Sequence, residues 1–132
     1  MALEDELKKD VDWLLSLKED FDDEGAMPPK KETIDKSMEY AKRMIGIVKS
    51  NFGIALITPF LEPDGEAGAA VHWRTCRVKS PPEKEGEYEI LMRVPPEGAG
   101  SYYAEIWYKG QSTYQKYAGS FSEKTEKLLP KT

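Results

Sequence analysis

The sequence predicts an α+β domain: two N-terminal helices packed on an antiparallel meander of four to five strands, with a short C-terminal helix. Three observations predict it. Apolar residues recur at helical spacing up to about residue 49 and at strand spacing from about residue 54. The connections after that switch are short and rich in Pro and Gly, which favours antiparallel neighbours. Finally, 132 residues with no internal repeat, low-complexity tract or linker fit one domain spanning 1–132.

The first helix is expected over about residues 3–21. Leu3, Leu7, Val11, Leu14 and Leu15 form its apolar stripe, widened by Trp13, Leu17 and Phe21. Its polar side is acidic: residues 1–26 carry ten Asp or Glu against three Lys, a local charge of -7. Such a face is ordinarily solvated, and it also suits a basic partner. The stretch Phe21 to Pro29 then reads as an elbow. Asp22 is placed to bond nearby backbone N–H groups, Gly25 to adopt the left-handed backbone just past a helix end, and Pro28 with Pro29 to bar a continuous helix. Pro29 suits the first turn of the next helix. That helix is expected from Lys31 to Lys49, with Ile34, Met38, Ala41, Ile45 and Val48 on one face and Met44 beside them. Residues 27–50 carry six basic and three acidic side chains, so the two helices are of opposite charge and suited to pairing.

Ile54 to Leu61 reads as a first strand, with Pro59 marking an edge or an end. Pro63-Asp64-Gly65 is a turn signal. Ala69 to Arg77 follows, with Val71 and Trp73 on one face and His72, Arg74 and Cys76 on the other. Glu87 to Val94 alternates Tyr88, Ile90, Met92 and Val94 against Glu87, Glu89, Leu91 and Arg93. Ser101 to Lys109 alternates in the same way, and Thr113 to Tyr117 supplies a short fifth strand. Ser120 or Ser122 is placed to cap a final helical turn or two ending near Leu129, before Pro130.

Composition narrows the function classes. A net charge of -5 disfavours sequence-independent binding to nucleic acid, which needs a clustered positive field. One cysteine allows neither an internal disulfide nor a Cys-based zinc cage. The acidic N-terminus lacks a signal-peptide pattern, and no run approaches the roughly 18 apolar residues of a membrane span, so a cytoplasmic protein is expected.

Nucleophilic catalysis needs a nucleophile, a base and an orienting group within reach of one another. His72 and Cys76, each the sole residue of its type, stand about 13 Å apart if they share one strand. They cannot form a Cys–His pair without a break in the strand. The run Asp20, Asp22, Asp23, Glu24 lacks the spacing of a calcium loop, and Gly98-Ala99-Gly100 does not open a helix that would cradle phosphate. No dinucleotide, P-loop or nucleophile-elbow motif is present, so neither a cofactor nor an enzymatic activity is expected.

Leu14…Leu17, Phe21-Asp22-x-x-Gly25-Ala26-x-Pro28, Thr33-Ile34…Ser37 and Pro63-Asp64-Gly65…Val71-x-Trp73 occur in that order. The set resembles a widespread uncharacterised bacterial domain family. Its pattern is a leucine-rich helix, an Asn-Trp-Asp-Gly-x-Gly-Ala-like junction, a Pro-led helix, and a Pro-Asp-Gly turn into a Val/Leu-x-Trp strand. The likeness covers about residues 10–75. Phe21 stands where the family has Trp, Asp20 where it has Asn, and Glu24 follows Asp23 where Gly is common. The resemblance implies a bacterial, cytoplasmic domain and transfers no catalytic residue.

Two surfaces remain as candidates. With Trp73, Ile90 and Ile106 inward, the outer sheet face collects Arg74, Leu91, Arg93, Tyr103 and Trp107. Aromatic and Arg side chains are enriched at protein interfaces, so this face is expected to dock a protein partner or a second copy. Its alternative cover is the C-terminal segment. The second candidate is a small-molecule pocket between helices and sheet, lined by Trp13, Trp73 and Tyr88.

Overall fold

A computed structural model describes residues 3–18, 25–80, 84–108 and 112–121. It comprises α1 (Leu3–Glu6), α2 (Lys8–Ser16), α3 (Lys31–Phe52), β1 (Phe60–Pro63), β2 (Ala69–Ser80), β3 (Lys84–Val94), β4 (Gly100–Tyr108) and β5 (Gln115–Phe121). The five strands form one antiparallel sheet in sequence order, so the α+β reading holds. The expected C-terminal helix falls on residues outside those described, apart from Ser120, which lies in β5.

In place of the single first helix expected over about residues 3–21 stand two, α1 and α2, so three helices and not two precede the sheet. At Leu7 the backbone leaves helical geometry (φ -98°, ψ 6°), yet Leu7 N–H still bonds Leu3 O and Val11 N–H bonds Leu7 O. α2 ends at Ser16, where Leu17 turns extended and Ser16 Oγ donates to Trp13 O. Leu7 and Leu14 are buried, whereas Trp13 is 51% exposed and adds nothing to the core. Phe21 lies outside the described residues.

α3 begins where expected, leaving Pro29 ahead of its N-cap Lys30, and runs on past Lys49 to Phe52. Gly53 stops it in the left-handed conformation (φ 70°), which costs glycine little. Ile34, Met38, Ala41, Met44, Val48 and Phe52 are buried at successive helical spacings. Ile34, Met38, Ala41 and Val48 are therefore buried as expected, and the one difference is that Met44 is fully buried while Ile45 packs against the core's margin. Each large side chain so buried contributes about 1.5–3 kcal/mol.

This stripe lies on the inner sheet face, where Leu61, Val71, Trp73, Tyr88, Ile90, Met92, Ala104 and Ile106 are all buried. Phe52 meets Tyr117 of β5 with ring centroids 5.9 Å apart. The acidic and basic helices do meet through an ion pair between Glu4 and Lys42.

The apolar run from Ile54 has no regular secondary structure until it joins the sheet at Phe60. Ile57 explains how its backbone is satisfied without a partner strand. Its N–H donates to Tyr88 Oη at 2.9 Å, and its carbonyl accepts from Trp73 Nε1 at 2.8 Å. Two buried aromatic rings thus place their polar tips on one peptide segment. On the outer edge of β1, Asp10 Oδ2 accepts from Leu61 N–H at 3.2 Å, and just ahead of the strand Glu6 accepts from Thr58 Oγ1 at 2.8 Å.

The Pro63-Asp64-Gly65 turn forms as expected. Asp64 Oδ1 accepts from the N–H groups of Glu66 (2.7 Å) and Gly68 (2.8 Å). Gly68 is required here because a Cβ would stand 2.8 Å from Val94 O and 2.2 Å from Asp64 Oδ2.

Candidate functional site

The junction and that turn form one unit. Gly25 has φ 86°, with open space where a Cβ would stand, so its requirement is conformational and not steric. Ala26 is 5% exposed. Met27 N–H donates to Gly65 O at 2.9 Å, and Ala67 N–H donates to Met27 O at 3.0 Å, a parallel bridge from junction to turn. Ala67 holds φ 65°, which is unusual for a residue with a side chain. The two motifs singled out in the sequence therefore touch. Pro28 follows directly and is half-buried, and Asp22 lies outside the described residues. The contact is structural: backbone satisfies backbone.

The two rings of the pocket hypothesis are likewise occupied. Trp73 and Tyr88 are 0% exposed and both bond Ile57, while Trp13 faces out from α2. A groove of about 460 Å³ does exist along α3, lined by Glu32, Asp35, Lys36, Glu39, Tyr40 and Arg43. Lys36 Nζ and Arg43 flank the Tyr40 ring at 5.8 and 5.9 Å, and Lys36 also donates to Gly98 O at 3.0 Å. None of Trp13, Trp73 and Tyr88 lines it.

The outer sheet face brings together all five residues that sequence alternation assigned to it. Strand register sets them in rows. Phe60, His72, Leu91, Tyr103 and Ala118 lie side by side across the five strands. On one side of that row stand Glu62, Ala70, Arg93, Ser101 and Ser120. On the other side stand Glu89, Glu105 and Lys116, while Arg74, exposed in the irregular part of β2, lies over Phe60. Glu87 faces Trp107 one row further on. Phe60 is 46% and Tyr103 38% exposed; Leu91 and Trp107 are half-buried.

Polar contacts thread this face. Arg74 lies over the Phe60 ring at 4.4 Å and reaches Glu62 at 3.5 Å. His72 Nε2 is 3.5 Å from Glu89, and Lys116 is 3.8 Å from Glu105. The Tyr103 hydroxyl donates to Glu105 and that of Tyr114 to Glu87. The bond to Glu105, ahead of burial and of the nearby negative charge, holds the Tyr103 phenol above its usual range.

A β-bulge between Trp73 and Cys76 corrects one expectation. The extra residue breaks the alternation, so Cys76 is in register with Tyr88 instead of continuing the His72–Arg74 face. Sequence reasoning missed Phe60 and Tyr114 as members of the outer surface, and left Glu89 and Glu105, which alternation places there, out of the candidate site. Phe60 was hidden by treating Ile54–Leu61 as one strand; starting the alternation after Pro59 finds it. Among the described residues, no three His, Cys, Asp or Glu side chains are grouped to hold a metal ion. No helix among them is long and apolar enough to cross a membrane.

Comparison with protein-family models, with curated proteins and with solved structures finds no match.

Proposed function

We propose that this chain is a non-enzymatic protein-interaction module that docks a protein, either a different partner or a second copy, through the outer face of its sheet. One observation carries the reading: Phe60, Leu91, Tyr103 and Trp107 share a face with Arg74 and Arg93 on the side away from the helices. Large aromatic and Arg side chains held on a rigid sheet supply contact area with little ordering entropy left to lose. The same face carries Glu62, Glu87, Glu89 and Glu105, so it lacks the clustered positive field that a nucleic acid backbone needs. We place the module in a bacterial cytoplasm, acting without a cofactor, on the strength of the sequence resemblance and its composition.

Tyr103→Lys tests the reading, with Trp107→Ala beside it and Lys49→Glu on α3 as the control. Solution mass and recovery of a bound partner should both respond to the sheet-face variants and not to the control. Unchanged mass and unchanged recovery in both face variants would refute the proposal.

A further inference from the structure

We infer that the occupant of the outer sheet face is a second copy of this chain, packed face to face about a two-fold axis that runs across the strands along the row Phe60–His72–Leu91–Tyr103–Ala118. The inference rests on the docking reading above and names its partner.

The argument is one of self-complementarity. In a two-fold interface every contact occurs twice, so a residue on one side of the axis meets its mirror position from the other copy. An axis along the central row lays each strand on its own counterpart and exchanges the positions two residues either side, about 7 Å away. On β3 this sets Arg93 against the second copy's Glu89, and Glu89 against its Arg93. Along β4 it sets Ser101 against Glu105, and on β5 Ser120 against Lys116. Every ionised side chain in these pairs meets either its opposite or a small neutral residue, and like charges never face each other. A surface built for an unrelated partner has no reason to satisfy this condition against itself.

The charges are also free to respond. Arg93 is exposed and forms no ion pair with the described residues, and among those residues Glu89 pairs with His72 at 3.5 Å. Arg74, by contrast, is already held over Phe60 and beside Glu62. Packed sheets stand about 10 Å apart, a gap that an Arg and a Glu side chain bridge together, and the usual twist of about 30° between them keeps the pair within reach. The flat extent of the face, five strands by the eight residues Glu87–Val94, is about 650 Å². Side-chain relief brings its accessible area towards the roughly 800 Å² per partner of a standard interface.

The test is a charge exchange read by sedimentation over a range of protein concentrations. The wild-type chain, 15.0 kDa, should pair to twice that mass. Arg93→Glu and Glu89→Arg should each raise the dimer dissociation constant at least about tenfold, because each sets like charges together at two symmetric places. The double variant R93E/E89R should return to within about threefold of wild type, a rescue that misfolding of either single variant cannot imitate. Three outcomes overturn the inference. A dimer indifferent to both single variants uses another surface. A double variant as weak as the singles lacks the reciprocal pair. A chain that stays monomeric at every concentration has another occupant: the docking reading survives if Tyr103→Lys still abolishes recovery of a different protein. It falls as well if face variants change only melting temperature.

Discussion

Removing the Tyr88 hydroxyl isolates one interaction that holds the α3–β1 connection on the sheet. Tyr88→Phe keeps the buried ring and its packing, and deletes the acceptor of the Ile57 N–H at 2.9 Å. A part-buried amide left without a partner costs about 1–2 kcal/mol. At about 2.1 cal/mol/K per residue, a chain of 132 residues unfolds with an entropy near 0.28 kcal/mol/K, so the midpoint should fall by about 4–7 °C. Trp73→Phe should cost about 2–4 kcal/mol, since it loses both the bond to Ile57 O and indole volume in a packed core. Both side chains grip the same residue, so the double variant should be less destabilised than the sum by at least about 0.5 kcal/mol. Once one bond is gone the segment lifts, and the second bond has less to hold. Tyr103→Phe is the control, because it removes an equivalent hydroxyl on the exposed face and should stay within about 0.5 kcal/mol of wild type. Thermal and urea unfolding measure all four. A Tyr88→Phe midpoint within about 1 °C of wild type, or strict additivity with Trp73→Phe, would refute the clamp.

Three further outcomes follow from the junction, its turn and the helix pair. Gly25→Val should lower stability by about 1–2 kcal/mol through its φ of 86° alone, and Gly25→Asn by clearly less, because Asn tolerates that backbone; equal losses by thermal melting would show a steric cause instead. Asp64→Ala should cost about 1.5–3 kcal/mol by stripping the acceptor from two backbone N–H groups, and Gly68→Ala at least as much through its clash with Val94 O; wild-type urea midpoints would show that the turn does not depend on them. The Lys42 ammonium, through its hydrogen bond, and next Glu4's own backbone hold the Glu4 carboxyl below its ordinary 4.5. A depressed carboxyl contributes stability above its unfolded value and loses it as the pH falls, so Glu4→Gln should flatten the melting profile only below about pH 5. A variant that flattens it between pH 6 and 8 contradicts this assignment.

The sheet was legible because alternation is a local property of the chain. Tyr88, Ile90 and Met92, and Ala104 with Ile106, turn inward as their spacing demands. What the sequence did not reveal depends on residues far apart. The bulge after Trp73 has no compositional mark, and it decides the register of Cys76. The run from Ile54 is apolar enough for a strand, but its backbone is satisfied by side chains of β2 and β3, which no local pattern records. Leu17 and Trp13 fit a helical stripe by spacing, yet α2 ends at Ser16 and turns Trp13 outward. The candidate face itself was found from alternation alone. Its order in rows came only with the pairing of five strands.

The bonds from Glu6 to Thr58 and from Asp10 to Leu61 reach across 52 and 51 residues. During synthesis the α1–α2 segment therefore leaves the ribosome long before the strand it will cover. When Leu61 emerges, the carboxylate that takes its outward N–H already exists nearby. A nascent β1 would otherwise offer that N–H to any neighbouring chain while β2 to β5 are still being made, and open strand edges seed aggregation. Order along the chain thus gives some of the protection a chaperone would, because the guard is translated before the edge.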